Sequence, residues 1–273
     1  INLLNFIMVK NIGLVWLKDD FRLKKNLALI EATKNHDQVV AFFLYKKNTL
    51  NYQEAQKWWI SKSLKDFKKK LLQYNINLEI IEIDTYKLFF EKLFNKKNYS
   101  IYWNRKYEPN YLKFDQYLSR KFKDNKISFS IFKGNILNEF EEIKKKDGTP
   151  FRVFTPYWRY AEKFFLEKIP PKEKKISKCI KKTSFFNNII SEDKICPKKK
   201  WSNKFEKYWQ PNEENALKEL KNFIKNRIEK YSNARNYPSV LGTSKLSPFI
   251  KHGQIHVETI WEECNKSKNF SSQ

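Results

Sequence analysis

The residues best suited to chemistry stand late in the chain. Gly242-Thr243-Ser244 sets a φ-permissive residue and two hydroxyls just before a helix whose first turn holds Ser247 and Pro248, proline being favoured at a first helical position. Unbonded backbone N–H groups and hydroxyls at such a helix start form an anion site of the kind that holds a pyrophosphate. An ordinary serine N-cap is the plainer alternative. Other spacings mainly exclude. No GxGxxG follows the first strand and no GxxxxGKS/T occurs, so the usual NAD and ATP routes are absent. Cys179, Cys196 and Cys264 are odd in number and lack CxxC spacing, which argues against a disulfide framework and a metal site and fits a reducing cytoplasm.

Such residues need a scaffold. Over the first 135 residues short β-rich runs alternate with amphipathic ones. Strands are predicted at 13–17, 39–45, 78–83, 100–103 and 128–132, and helices at 26–34, 53–74, 86–94 and 109–122. The run Val39 to Tyr45 is apolar throughout, as suits a strand buried on both faces. Five strands with intervening helices predict an α/β fold, a doubly wound, five-stranded parallel sheet of Rossmann-like type. From 136 to 200 the pattern weakens: Asp147-Gly148 is a turn signal, 154–167 reads as a helix, and Pro170-Pro171 with the lysines after it reads as a linker. Helical patterning returns at Asn212, an N-cap candidate, and runs to Tyr231; shorter helices follow from Ser247 and around 257–264. The chain therefore divides into an α/β domain at 8–135, a connector at 136–200 and the beginning of an all-helical domain at 201–273.

Composition sets further bounds. Hydrophobic residues are 41% and aromatics 16% of 273, enough for packed cores and unlike a disordered chain. The net charge of +25 favours polyanionic partners. Only seven of the 55 basic residues are Arg, however, and lysine shares AT-rich codons with the abundant Asn, Ile and Phe, so genome composition is the competing explanation. No run of 18 apolar residues occurs, so no membrane span is expected. The opening INLLNFIM lacks the basic start of a signal peptide, and as Met8 is the only Met, residues 1–7 read as sequence upstream of the start. Lys268 to Gln273 follows a helical run without a closing element.

Four collinear blocks resemble the DNA photolyase and cryptochrome family. Leu14 to Leu29, LVWLKDDFRLKKNLAL, is similar to that family's Trp-Phe-Arg-Arg-Asp-Leu-Arg run leading into Asp-Asn-Pro-Ala-Leu; Trp16, Asp20, Arg22, Leu23, Asn26, Ala28 and Leu29 match. Lys18 and Asp19 replace two arginines, Lys25 an aspartate and Leu27 a proline, which leaves open whether the pattern's local ion pairing is made here. The other blocks are Tyr102 to Pro109 (YWNRKYEP), Asp147 to Arg159 (DGTPFRVFTPYWR) and Tyr231 to Gly253 (YSNARNYPSVLGTSKLSPFIKHG).

The resemblance implies light-driven cycloreversion of cyclobutane pyrimidine dimers in flipped-out DNA lesions by a reduced, photoexcited FAD. It implies FAD contacts at Tyr231, Thr243, Ser244, Lys245, Leu246 and Ser247, and a DNA phosphate contact at Arg235. It also implies an antenna chromophore, a reduced folate or a deazaflavin, near Asn110, where Tyr111 stands in place of a glutamate. Arg105 and Glu108 read equally as a surface ion pair. The aromatic motif around Phe154 and Trp158 reads as structural, packing the connector against both domains. No catalytic residue and no metal ligand fall in this chain, and no role is assigned to Lys251 or His252. The implied protein is a cytoplasmic monomer of which this chain is an amino-terminal portion, inactive alone. The other readings are a cryptochrome-type blue-light receptor and a stand-alone α/β chromophore- or nucleotide-binding module.

Overall fold

A computed structural model describes residues 11–47, 53–167, 174–198 and 200–267; Met8, Pro170-Pro171 and Lys268 to Gln273 lie outside them. Five parallel strands, β1 (Ile12–Leu17), β2 (Val39–Lys46), β3 (Asn77–Ile83), β4 (Tyr99–Asn104) and β5 (Phe129–Phe132), form one sheet in the order β3-β2-β1-β4-β5. Helices α1 (Leu27–Asn35), α2 (Glu54–Leu72), α3 (Tyr86–Phe94) and α4 (Pro109–Asp124) make the crossovers. The strand order reverses between β1 and β4, which opens a crevice beyond their carboxyl ends. The predicted doubly wound sheet is thus present.

Side chains alternate across β1: Val15 and Leu17 join Leu29, Phe43 and Phe67 in the core under α1 and α2, while Leu14 and Trp16 join Phe90, Trp103 and Phe122 under α3 and α4. Both faces being covered, seven of the eight β2 residues are buried, which explains its continuous apolar run.

The connector carries α5 (Phe154–Glu167) and then returns along the open edge of the sheet. Ile81 and Ile189 form an antiparallel bridge, and Ile190 N–H donates to Ile80 O (2.8 Å). The carboxylate of Glu79, buried on β3, accepts from the N–H groups of Phe185 (3.1 Å) and Phe186 (2.9 Å). Residues 174–190 therefore act as a strap on an edge strand that would otherwise expose unpaired backbone groups.

The helical end consists of α6 (Glu213–Asn226), α7 (Tyr231–Ala234), α8 (Ser247–Lys251) and α9 (Val257–Lys266), with 3-10 turns between. The predicted continuous helix from Asn212 to Tyr231 is corrected: α6 stops at Asn226 and Arg227 leaves helical geometry at φ −133°. The break turns the buried Arg227 guanidinium inward, where Nη1 donates to Thr243 O (3.0 Å). Trp58 and Trp59 of α2 share a core with Leu220, Leu246, Phe249 and Ile255, so the helical end is packed on the sheet domain. Closest is Gly253, at φ +62°, where a Cβ would sit 2.1 Å from Asp19 O.

Candidate functional site

Two places gather the residues that chemistry needs. The first is the switch-point crevice, a cleft of about 360 Å³ lined by the ends of β1 and β4, Gly134-Asn135 and Ile250-Lys251. Lys18, just past β1, is buried with Nζ 2.8 Å from Asp115 Oδ1 of α4 and 4.3 Å from the centre of the Trp16 ring. Burial outweighs the Asp115 carboxylate and pushes the Lys18 amine down to about 8. Asp19, at φ +58°, pairs with Lys106 Nζ (2.8 Å). Burial alone would raise its carboxyl, but His252 and Lys106 outweigh it and hold Asp19 well below the usual range. Lys106 is in turn held above the ordinary amine value, Asp19 prevailing over desolvation.

Beneath this lies a buried polar lattice. Asn104 donates to Asp20 Oδ2 (2.6 Å) and Asn26 Oδ1 (2.8 Å), and its own oxygen accepts from Ala28 N–H (3.1 Å). Asn26 caps α1 by accepting from Leu29 N–H (3.3 Å). Burial raises the Asp20 carboxyl against the pull of Arg22 and Asn104. Arg22 donates to the carbonyls of Gly253 (3.0 Å) and Lys25 (3.3 Å), and Glu213 accepts from the N–H groups of Leu23 and Lys24, tying this loop to the helical end. His256 meets Gly134 O at 3.1 Å; burial, with Arg22 nearby, takes its imidazole down to about 3.

The second place is an exposed rim on the helical end. A Cβ on Gly242 would fall 2.6 Å from the Ala234 backbone, so the 242–247 loop starts directly on α7, the helix that begins with Tyr231 and is capped by Arg235. The Arg235 guanidinium stands 5.5 Å from the centre of the Tyr231 ring, which meets Phe223 edge-on. Thr243, Lys245 and Ser247 are exposed, Ser244 is half-buried and its Oγ accepts from Leu246 N–H (3.4 Å). The Leu246 side chain is committed to the core. Tyr231, Arg235 and Thr243 to Ser247 are thus brought together. Asn110 stands apart from them, exposed in the first turn of α4 above the crevice.

The ion pairing left open at Lys18 and Asp19 is made, with Asp115 and Lys106. Two side-chain expectations are revised. Arg105 pairs with Glu139 (3.0 Å) rather than Glu108, which lies 3.5 Å from Lys106 and 3.9 Å from Lys251. The α5 aromatics join the connector to the helical end: Phe154 stacks on Trp158, and Trp158 meets Trp261 of α9 edge-on at 5.9 Å. No member of that cluster comes from the sheet. The buried histidines and the Lys18–Asp115 pair went unread. Their one sequence signal was a Lys-Asp-Asp run directly after an apolar strand. Among the described residues no group of His, Cys, Asp or Glu could hold a metal ion, and no helix is long and apolar enough to cross a membrane.

A doubly wound sheet with its crevice at the reversal point, backed by helices that carry a hydroxyl-rich loop, defines an α/β protein of the doubly wound class. The DNA photolyase family model matches residues 13–175, and the chain belongs to that family. It is 29% identical to a deoxyribodipyrimidine photo-lyase of Agrobacterium fabrum over 91% of this chain and 52% of the relative. A class III photolyase from Agrobacterium tumefaciens superimposes with a TM-score of 0.84 at 26% identity, over 99% of this chain and 56% of that one. A photolyase from Sulfolobus tokodaii, solved with two FAD molecules, shares the fold with a TM-score of 0.70 at 18% identity, over 95% of this chain and 56% of that one. The chain spans about half the length of the relatives it matches.

Proposed function

We propose that this chain is the amino-terminal portion of a deoxyribodipyrimidine photolyase, a light-driven, FAD-dependent enzyme that repairs cyclobutane pyrimidine dimers in DNA. Residues 8–135 are the antenna-binding domain, 136–200 the connector and 201–273 the start of the FAD-binding domain. The observation that carries the reading is the gathering of Tyr231, Arg235 and Thr243 to Ser247 on one rim, with the Thr243 and Ser247 side chains exposed. That set fits FAD: hydroxyls, backbone N–H groups and a lysine suit its phosphates, and Tyr231 offers an aromatic face.

When bound and excited, FAD supplies the electron that opens the dimer. The chain's own work is to bind and orient: Thr243, Ser244, Lys245 and Ser247 hold the phosphates, Leu246 anchors the loop in the core, and Arg235 meets a DNA phosphate. The rim is a single open face, so the 273-residue chain alone binds FAD weakly and repairs nothing. A reduced folate or deazaflavin antenna occupies the first domain at the crevice below Asn110. The protein works as a cytoplasmic monomer.

The test joins this chain to the remaining half of the Agrobacterium fabrum relative and follows FAD absorbance and blue-light loss of thymine dimers. The joined protein is expected to hold FAD and repair, and the 273-residue chain to do neither. Arg235→Ala in the joined protein should weaken dimer-DNA binding and lower the slope against log salt by about one. A joined protein that holds stoichiometric FAD yet leaves dimers intact overturns the repair reading in favour of a light receptor.

A further inference from the structure

We infer that Arg227 is a positioning residue for phosphate binding at the 243–247 loop: it turns the Thr243–Ser244 peptide so that the Ser244 N–H faces outward as an anion donor. The inference deepens the FAD reading above and rests on it. Arg227 is not an ordinary helix end. Its backbone leaves helical geometry at φ −133°, and its side chain, in a residue 8% exposed, lies beneath the loop instead of in water. Its charge is incompletely answered: Glu219, whose side chain is 34% exposed, stands 3.4 Å from Nη2, and Nε is buried without a partner. The well-formed bond runs from Nη1 to Thr243 O at 3.0 Å. A buried guanidinium is thus spent on one loop carbonyl.

The peptide plane carries the consequence. In a trans peptide the carbonyl and the next residue's N–H point in opposite directions. Thr243 O is aimed inward at Arg227, so the Ser244 N–H is aimed away from it, toward the side where Thr243 and Lys245 are exposed. Among the described residues that N–H makes no hydrogen bond, and Thr243 O accepts from Arg227 alone, so no other bond of this peptide fixes its plane. A cationic donor on the carbonyl also polarises the peptide and strengthens its N–H as a donor. Without Arg227 the carbonyl would lose its partner and the peptide would be free to turn.

The test labels the chain with carbon-13 at threonine carbonyls and nitrogen-15 at serine, so that a carbonyl-filtered amide spectrum retains only Thr-Ser peptides. The sequence has two, Thr183-Ser184 in the strap and Thr243-Ser244 in the loop, and the first serves as the control. Inorganic pyrophosphate is expected to move the Ser244 signal saturably and ahead of Ser184. In Arg227→Met the midpoint should rise about tenfold, and in Arg227→Lys, which keeps the charge but not the planar fork, about threefold. A mere brace for the helix end would lower the unfolding temperature of both variants and leave the pyrophosphate midpoint of the folded chain where it was. That result overturns the inference while the FAD reading stands. Should Arg227→Met fail to fold, seen as collapse of the Ser184 signal, the lysine variant decides alone, and an unchanged midpoint there overturns the inference. No movement of Ser244 in the unaltered chain, or movement that Ser184 matches, overturns the phosphate role of the loop, and the inference falls with it.

Discussion

Lys18 shows how a single residue ties strand, helix and crevice together. Its ammonium is buried over Trp16 and Trp103 with one carboxylate for company, and the second oxygen of that carboxylate has no partner. Such a pair holds because each charge answers the other, not because the pair outdoes an apolar substitute. Removing one member therefore costs more than removing both. Asp115→Ala strands the ammonium and should destabilise the chain by about 3–5 kcal/mol in urea unfolding. The double change Lys18→Met with Asp115→Leu should recover most of that loss; a double variant as weak as the single one would show that the pair is worth more than packing. None of this was legible in the sequence, because partners 97 residues apart leave no local pattern. The rim residues were legible for the opposite reason: Gly242 to Pro248 is one contiguous stretch with its own turn and helix-start chemistry.

Elements follow local patterns most closely where both their faces are fixed. Helix α3 spans Tyr86 to Phe94 as its spacing predicts, and β2 lies where the apolar run lies. Helix α6 departs from its pattern because Arg227 finds a carbonyl in a loop 16 residues on, which no periodicity records. The strap at 174–190 is the largest unread element, since it is held by main-chain bonds that any sequence can make. Glu79 is its charged acceptor, one carboxylate serving two N–H groups, beside the amides of Asn75 and Asn77, which donate to Cys179 O and Thr183 O. Glu79→Ala should cost roughly 2–3 kcal/mol and open the strap first. Amide hydrogen exchange would report it as faster exchange at Phe185 and Phe186, with β1 and β4 unaffected. Unchanged protection at those two amides would mean that the strap is held without Glu79, by Asn75, Asn77 and its main-chain bonds.

At the scale of the whole molecule, acid should part the helical end from the sheet domain. The joint between them combines the apolar core around Trp58 and Trp59 with a set of polar contacts: Arg22 on Gly253 O, Asn135 on the carbonyls of Ile250 and Ile255, Trp59 Nε1–H on Gln254, and Lys133 on Glu258. His256 sits in that joint, neutral down to about pH 3 because burial and Arg22 disfavour its charge; Glu258 and Gly134 O favour the charge but are outweighed. Its ordinary value is 6.5, so between 6.5 and about 3 the unfolded chain binds a proton that the folded chain refuses. Stability carried by His256 is therefore complete above 6.5 and lost as pH falls, by roughly 5 kcal/mol across the whole window. Asp19, held low, adds loss in the same direction only below the ordinary carboxylate value, whereas Asp20, held high, opposes the loss above that value. The early part of the acid loss, between pH 6.5 and 5, is thus shared by His256 and His36, whose imidazole is also held below its ordinary value by burial. Urea unfolding followed by tryptophan fluorescence, to which Trp59 in the joint contributes, should show the midpoint falling over that interval. In His256→Gln, which keeps a polar side chain but cannot titrate, the midpoint should fall less from pH 7.5 to 5 than in the unaltered chain, the remainder belonging to His36. An equal fall in both proteins would assign the acid sensitivity to another group and leave His256 as a packing residue.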